Sequence, residues 1–301
     1  MNELELLNRL RDEVPARPDV RAEERRLLAE IRGGSPVPRK RPALRPRWGL
    51  ALVACGVAAA AVVVSQLGGA ERPVKVRPAD PVGLLENAAL VAARTKAVEI
   101  RSDQWFYIKE SQHMPGGGGL PGFEHWSRMD GQKDAVRTRG KLRLGNGEKG
   151  PTNPGKTAQE VEALPTDPDQ LLAHFRGLKE ERTPLSICQP NCPEGTLPDV
   201  NAFGAIGWYL KFGPVIPPEK AAAMYRALAK IPNVTVQENV SDGDGRQGIG
   251  VVLDLGAAGK GTYILDPEDY HYMGIKVEQD GETASMSVLG SGIVDQPGQT
   301  P

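Results

Sequence analysis

From Trp48 to Ala70 the chain carries no Asp, Glu, Lys, Arg or His, and this run limits what the 301 residues can become. Its most apolar portion, residues 49–67, would extend about 28 Å as a helix at about 1.5 Å per residue. A bilayer's hydrocarbon core is about 30 Å thick, so the run is long enough to cross it. A buried helix of a soluble protein would show a polar stripe, and none is visible. A cleaved signal peptide begins its apolar region after a short basic start, whereas 47 residues precede this one. Residues 48–68 therefore read as a retained transmembrane helix. Leu52-Val53-Ala54-Cys55 resembles a lipoprotein cleavage box, but the longer apolar stretch follows the cysteine. Cys55 reads instead as a packed or lipid-facing thiol.

The flanks orient this helix. Arg39, Lys40, Arg41, Arg45 and Arg47 fill the basic linker 35–47 with no acid among them, while charges in the linker 69–81 are mixed. By the positive-inside rule the N-terminus stays in the cytoplasm and the larger C-terminal part lies outside, in the topology of a single-pass signal anchor. The basic flank also faces anionic headgroups, which makes membrane lipid a partner. A net charge of −1 argues against a nucleic-acid binder, and three cysteines are too few for a disulfide-built scaffold.

Residues 1–34 read as two amphipathic helices, with Leu4, Leu7 and Leu10 on one stripe and Leu27, Leu28 and Ile31 on the other. Such an arm is too small to fold alone: it either lies passively as frayed helices near the membrane, docks in a groove on a cytoplasmic partner, or docks on the membrane surface. Residues 82–294 read as one extracytoplasmic α+β domain. A helix is expected over Val82–Lys96, then strands at 104–109, 123–129 and 135–144, with a loop over 145–165. Three helices follow, near Pro168, Asp199 and Pro217-Pro218. Five period-two segments between Val234 and Leu289 predict an antiparallel meander with one wet face. The expected fold is a curved antiparallel sheet with helices on one face. Residues 295–301 read as a disordered tail.

Cys188 and Cys192, in a proline-rich loop placed outside the membrane, suggest a local disulfide. Free thiols, a metal half-site or a redox pair are the alternatives. Gly243, Gly245 and Gly248 satisfy Gly-x-Gly-x-x-Gly, but strand-like residues follow where a dinucleotide site needs a helix, so the segment reads as a hairpin connection. Asp242 and Asp244 lack the downstream Glu of a calcium loop. His125 beside Glu124, and His174, have no nucleophile placed by sequence, and Asp266 to Asp269 reads as a turn. No enzyme, metal or cofactor is expected.

The motifs LELLNRLRDEVPARPDV, RRLLAEI and QWFYIKE, with the basic segment and span between them, resemble an actinobacterial family of uncharacterised single-pass membrane proteins. Members often accompany extracytoplasmic-function sigma factors, which implies an anti-sigma or accessory role. Residues 1–54 hold neither His nor Cys, the ligands of zinc-type anti-sigma domains, so a sigma-factor contact would be zinc-free. Tyr263 to Tyr270 is similar to a strand-turn-strand passage of lipoprotein-carrier and sigma-regulator half-barrels. Three roles follow as expectations. The leading one is a membrane regulator coupling an outer lipid, peptide or protein to the arm. The others are an anchored binding module for a lipid or other apolar ligand, and a structural envelope protein.

Overall fold

The computed structural model describes residues 80–301, Lys149 excepted. The arm with Leu4, Leu7, Leu10, Leu27, Leu28 and Ile31, the flank with Arg39, Lys40, Arg41, Arg45 and Arg47, and the expected span lie outside the described residues. Residues 80–301 lie within one compact unit. Its described apolar core draws on side chains from Leu84 to Val294.

The chain runs α1 (Pro81–Arg94), β1 (Trp105–His113), β2 (Gly119–Arg128), β3 (Lys133–Thr138), β4 (Lys141–Asn146), α2 (Pro154–Glu162), α3 (Pro168–Arg176), α4 (Leu197–Leu210) and α5 (Pro218–Leu228). Strands β5 (Val234–Ser241), β6 (Gln247–Asp254), β7 (Lys260–Leu265), β8 (Tyr272–Gln279) and β9 (Glu282–Val294) follow. All nine strands form one sheet in the order β4-β3-β2-β1-β9-β8-β7-β6-β5. Every neighbouring pair is antiparallel. The α+β class expected from sequence is therefore present, with five helices among the described residues.

Each of these helices begins with a proline in its first two positions, where the missing N–H costs nothing. Three are also capped by side chains. Asp80 accepts from the Val82 N–H at 3.1 Å, Asn153 from Lys156 at 2.8 Å, and Asp167 from Asp169 and Gln170 at 3.1 and 2.9 Å.

Alternation along β1 divides the interior. Phe106 and Ile108 enter the main core with the helices, while Trp105 and Tyr107 join Trp126, Ala135 and Val294 in a smaller cluster. In the main core, the Phe203 ring of α4 stacks on Tyr263 of β7 with centroids 4.3 Å apart. The Tyr263 hydroxyl donates to the Phe203 carbonyl at 2.7 Å. A Cβ at position 207 would stand 2.1 Å from the Tyr263 ring, so glycine there lets helix and sheet approach. Burying each such ring contributes about 1.5–3 kcal/mol.

Three expectations are corrected. The loop expected over 145–165 contains α2, started by the Asn153 cap and Pro154. The single strand expected at 135–144 is two, β3 and β4, joined by a turn at Arg139-Gly140 where both residues have positive φ. The tail expected to be disordered packs on the smaller cluster. There the buried Trp126 indole donates to the Gln299 carbonyl at 2.7 Å, and Arg137 donates to that of Gly298 at 2.9 Å.

Candidate functional site

Prolines shape an apolar cleft. α4 ends at Leu210, and Pro214, Pro217 and Pro218 keep the chain from resuming a ladder until α5. The intervening Val215 and Ile216 are buried. Facing them are Val91 and Ala92 in the last turns of α1, the strap Thr95–Ile100, and Tyr272 of β8. β9 closes the wall with Val288 to Ser291. Its register against β1 shifts there, with Lys109 opposite Gly290 and Glu110 opposite Val288, leaving Leu289 as the extra residue of a bulge. Bulges commonly re-aim side chains in this way. The cavity measures about 610 Å³, inside the usual small-molecule range of about 300–1,000 Å³.

Five Lys, Arg, His or Asp side chains reach this cleft, and four have ion-pair partners. Lys211 Nζ meets Glu110 Oε1 at 2.7 Å, with the two side chains only 11% and 7% exposed. Arg246 donates to Asp242 at 2.7 Å and to the Val288 and Met273 carbonyls at 2.8 and 3.2 Å. His271 Nδ1 lies 2.5 Å from Asp269. Burial pushes the Asp269 carboxyl up, but hydrogen bonds from the His271 backbone and ring outweigh it and the net direction is down. Tyr225 donates to the Tyr270 carbonyl at 2.6 Å, and burial holds its phenol well above the usual range. Lys96 alone of the five has no ion-pair partner among the described residues. The walls are apolar and Lys96 is the uncommitted charge.

A second cleft of about 720 Å³ lies among Glu160, His174, Glu181, Arg182, Trp208 and Tyr209. Charged side chains make up more of its lining. Arg182 bridges Glu160 at 2.5 Å and bonds the Tyr209 hydroxyl. Burial raises the Glu181 carboxyl despite a hydrogen bond from Ser186 at 2.8 Å.

The residues singled out from sequence go elsewhere. Cys188 and Cys192 have their sulfurs at bonding distance in the loop before α4, with Cys188 fully buried. The glycine motif is a hairpin connection between β5 and β6, as expected. Its tip is a clasp: Asp244 is bonded by Ser111 and lies 3.4 Å from His113, both on β1. Asp266 is used by the turn itself, accepting from Glu268 and Asp269 amides at 2.8 and 3.3 Å. That carboxylate gathers with Asp269 and His271, with all three ligand atoms within 4.8 Å of one another. His125 stands 3.8 Å from Asp134, and His174 lies edge-on to Phe175. Sequence reasoning missed the cleft. Its one signal was Pro214 to Pro218, apolar residues with no helical or strand period.

Among the described residues no helix is long and apolar enough to cross a membrane. No family model and no curated protein matches the chain. A solved structure of a LolA superfamily protein from Nitrosomonas europaea shares 10% identity over 71% of this chain and 94% of its own, with a TM-score of 0.20. So loose a superposition carries no argument about ligand or mechanism.

Proposed function

We propose that residues 80–301 are a binding module for an apolar or amphiphilic small molecule, tethered outside the cell membrane by the span expected at 48–68 and without a catalytic step. The cleft's division of labour carries this reading: a cavity of about 610 Å³ walled by Val91, Ile100, Val215, Ile216 and Leu289, with Lys96 as its free cation. An acyl-like body matches the walls, and an anionic head matches Lys96. A regulator would need, in addition, a cytoplasmic partner for Leu4, Leu7, Leu10, Leu27, Leu28 and Ile31, which the cleft neither requires nor replaces.

Titration with a fluorescent long-chain fatty acid tests the reading. Saturable uptake is expected, falling tenfold or more in Val98→Glu, since Val98 is 62% exposed yet lines the cleft and a carboxylate there opposes an apolar guest. Lys96→Glu should weaken the fatty acid but spare the matching long-chain alcohol. Uptake that is absent, or indifferent to Val98→Glu, overturns the proposal.

A further inference from the structure

The β3–β4 hairpin departs from the electrostatics of the rest of the domain. Residues 80–301 hold 22 basic and 29 acidic residues, yet 133–143 hold five basic and one acidic. Arg137 answers Glu124 at 2.9 Å, and Asp134 accepts the Glu148 amide at 2.9 Å. Lys133, Arg139, Lys141 and Arg143 are exposed, with no ion-pair partner among the described residues. Val136, paired with Arg143 and on the face of Lys141 and Arg143, is 37% exposed, whereas Lys133 and Leu144 lie on the opposite face.

The turn adds a second observation. Arg139 and Gly140 have φ of 49° and 75°, a two-residue connection between the paired Thr138 and Lys141. Such turns favour Asn-Gly or Asp-Gly, because a longer side chain is strained at positive φ. A cation occupies the position where a neutral amide would be more stable.

We propose that this hairpin docks on the anionic face of a lipid bilayer, with Arg139, Lys141 and Arg143 on headgroup phosphates and Val136 against the acyl boundary. The inference rests on the tethered reading above. The expected span ends at residue 68, leaving 11 residues before Asp80, at most about 40 Å of extended chain. A bilayer is thus always within reach, and charge complementarity favours its phosphates. Guarding an open edge is the competing role, since β4 ends the sheet and edge cations discourage strand pairing. That role explains Lys141 and Arg143 but not Arg139, which sits in the turn. The other edge, β5, has no Lys or Arg at all.

The test uses residues 68–301, which carry their own core, with vesicles of phosphatidylcholine alone or mixed with phosphatidylglycerol. Binding is expected only to the mixed vesicles and should fade as salt rises. Each cation near such a surface is worth about fivefold in affinity, so Lys141→Gln with Arg143→Gln should lose about 25-fold. Arg139→Asn should lose about fivefold while raising the thermal midpoint, an opposition that misfolding cannot produce. Equal binding to both vesicles, no binding, or indifference to these substitutions overturns the proposal. So does self-association of the Lys141→Gln, Arg143→Gln protein without vesicle binding by the parent, which would assign the cations to edge guarding. Preference for soluble polyphosphate that vesicles cannot displace would also overturn it. Fatty-acid uptake and alkaline-carbonate extraction of the full chain report the cleft and the tether separately, and neither should respond to these changes.

Discussion

Beneath the helices, β6 to β8 contribute Val251, Leu253, Tyr263, Leu265, Ile275 and Val277 to one continuous core, whereas β2 and β3 share Trp126 and Ala135 with a cluster of five on the opposite face. The first region has layers of apolar side chains above it. The second is one strand set, the rings of Trp105, Tyr107 and Trp126, and the end of the chain laid over them. Opening free energy follows buried apolar contact, so the helix-covered half should set global stability and the β2–β4 half should open first. An exposed, charged hairpin is tolerable where little core depends on it, and the apolar cleft lies against the helix-covered half.

Removing the Tyr263 ring is the largest expected effect. Tyr263→Ala should cost on the order of 3–5 kcal/mol in chemical denaturation and lower the stability of both halves together. A local loss confined to β7 would break the comparison. Deleting residues 297–301 should cost about 1–3 kcal/mol, because the buried Trp126 indole loses its acceptor. Hydrogen exchange should then show β2–β4 amides losing protection while β6–β8 keep theirs; equal losses would mean the halves are one unit.

The smallest effect is a pH slope at the β5–β6 clasp. Burial pushes the Asp244 carboxyl up, but the hydrogen bond from Ser111 and the nearby Ser287 and His113 outweigh it, and the net direction is down. A carboxyl lowered on folding stabilises above its unfolded value, about 3.9, and that contribution fades as pH falls through the folded one. Asp244→Asn should therefore flatten the acid side of the stability–pH curve. An unchanged slope would mean the clasp does not tie β5–β6 to β1.

The legible parts of the fold are those whose cues are local. The meander β5–β9 alternates along Ile275 to Val277 and Ala284 to Val288, and α1, α3 and α5 announce themselves by proline at their starts, with a side-chain cap as well in α1 and α3. α2 escaped because PGKTAQEVE has few apolar residues within a stretch rich in Gly, Asn and Pro. The β3–β4 turn escaped because Arg139 holds a place where Asn or Asp would have signalled it. The tail and the cleft depend on partners far away in sequence, Trp126 for one and Leu289 for the other, and no periodic pattern encodes them.

The first strand and the last are neighbours in the middle of the sheet, running from Trp105 beside Val294 to His113 beside Ser285. Nearly the whole domain must emerge from the ribosome before that seam can form, and closing so long a loop is entropically slow. Until then the early hairpins have nothing to lean on. A lesion in β9 should therefore act like a missing keystone, leaving both wings formed in outline yet unjoined and exposed to chaperones or proteases.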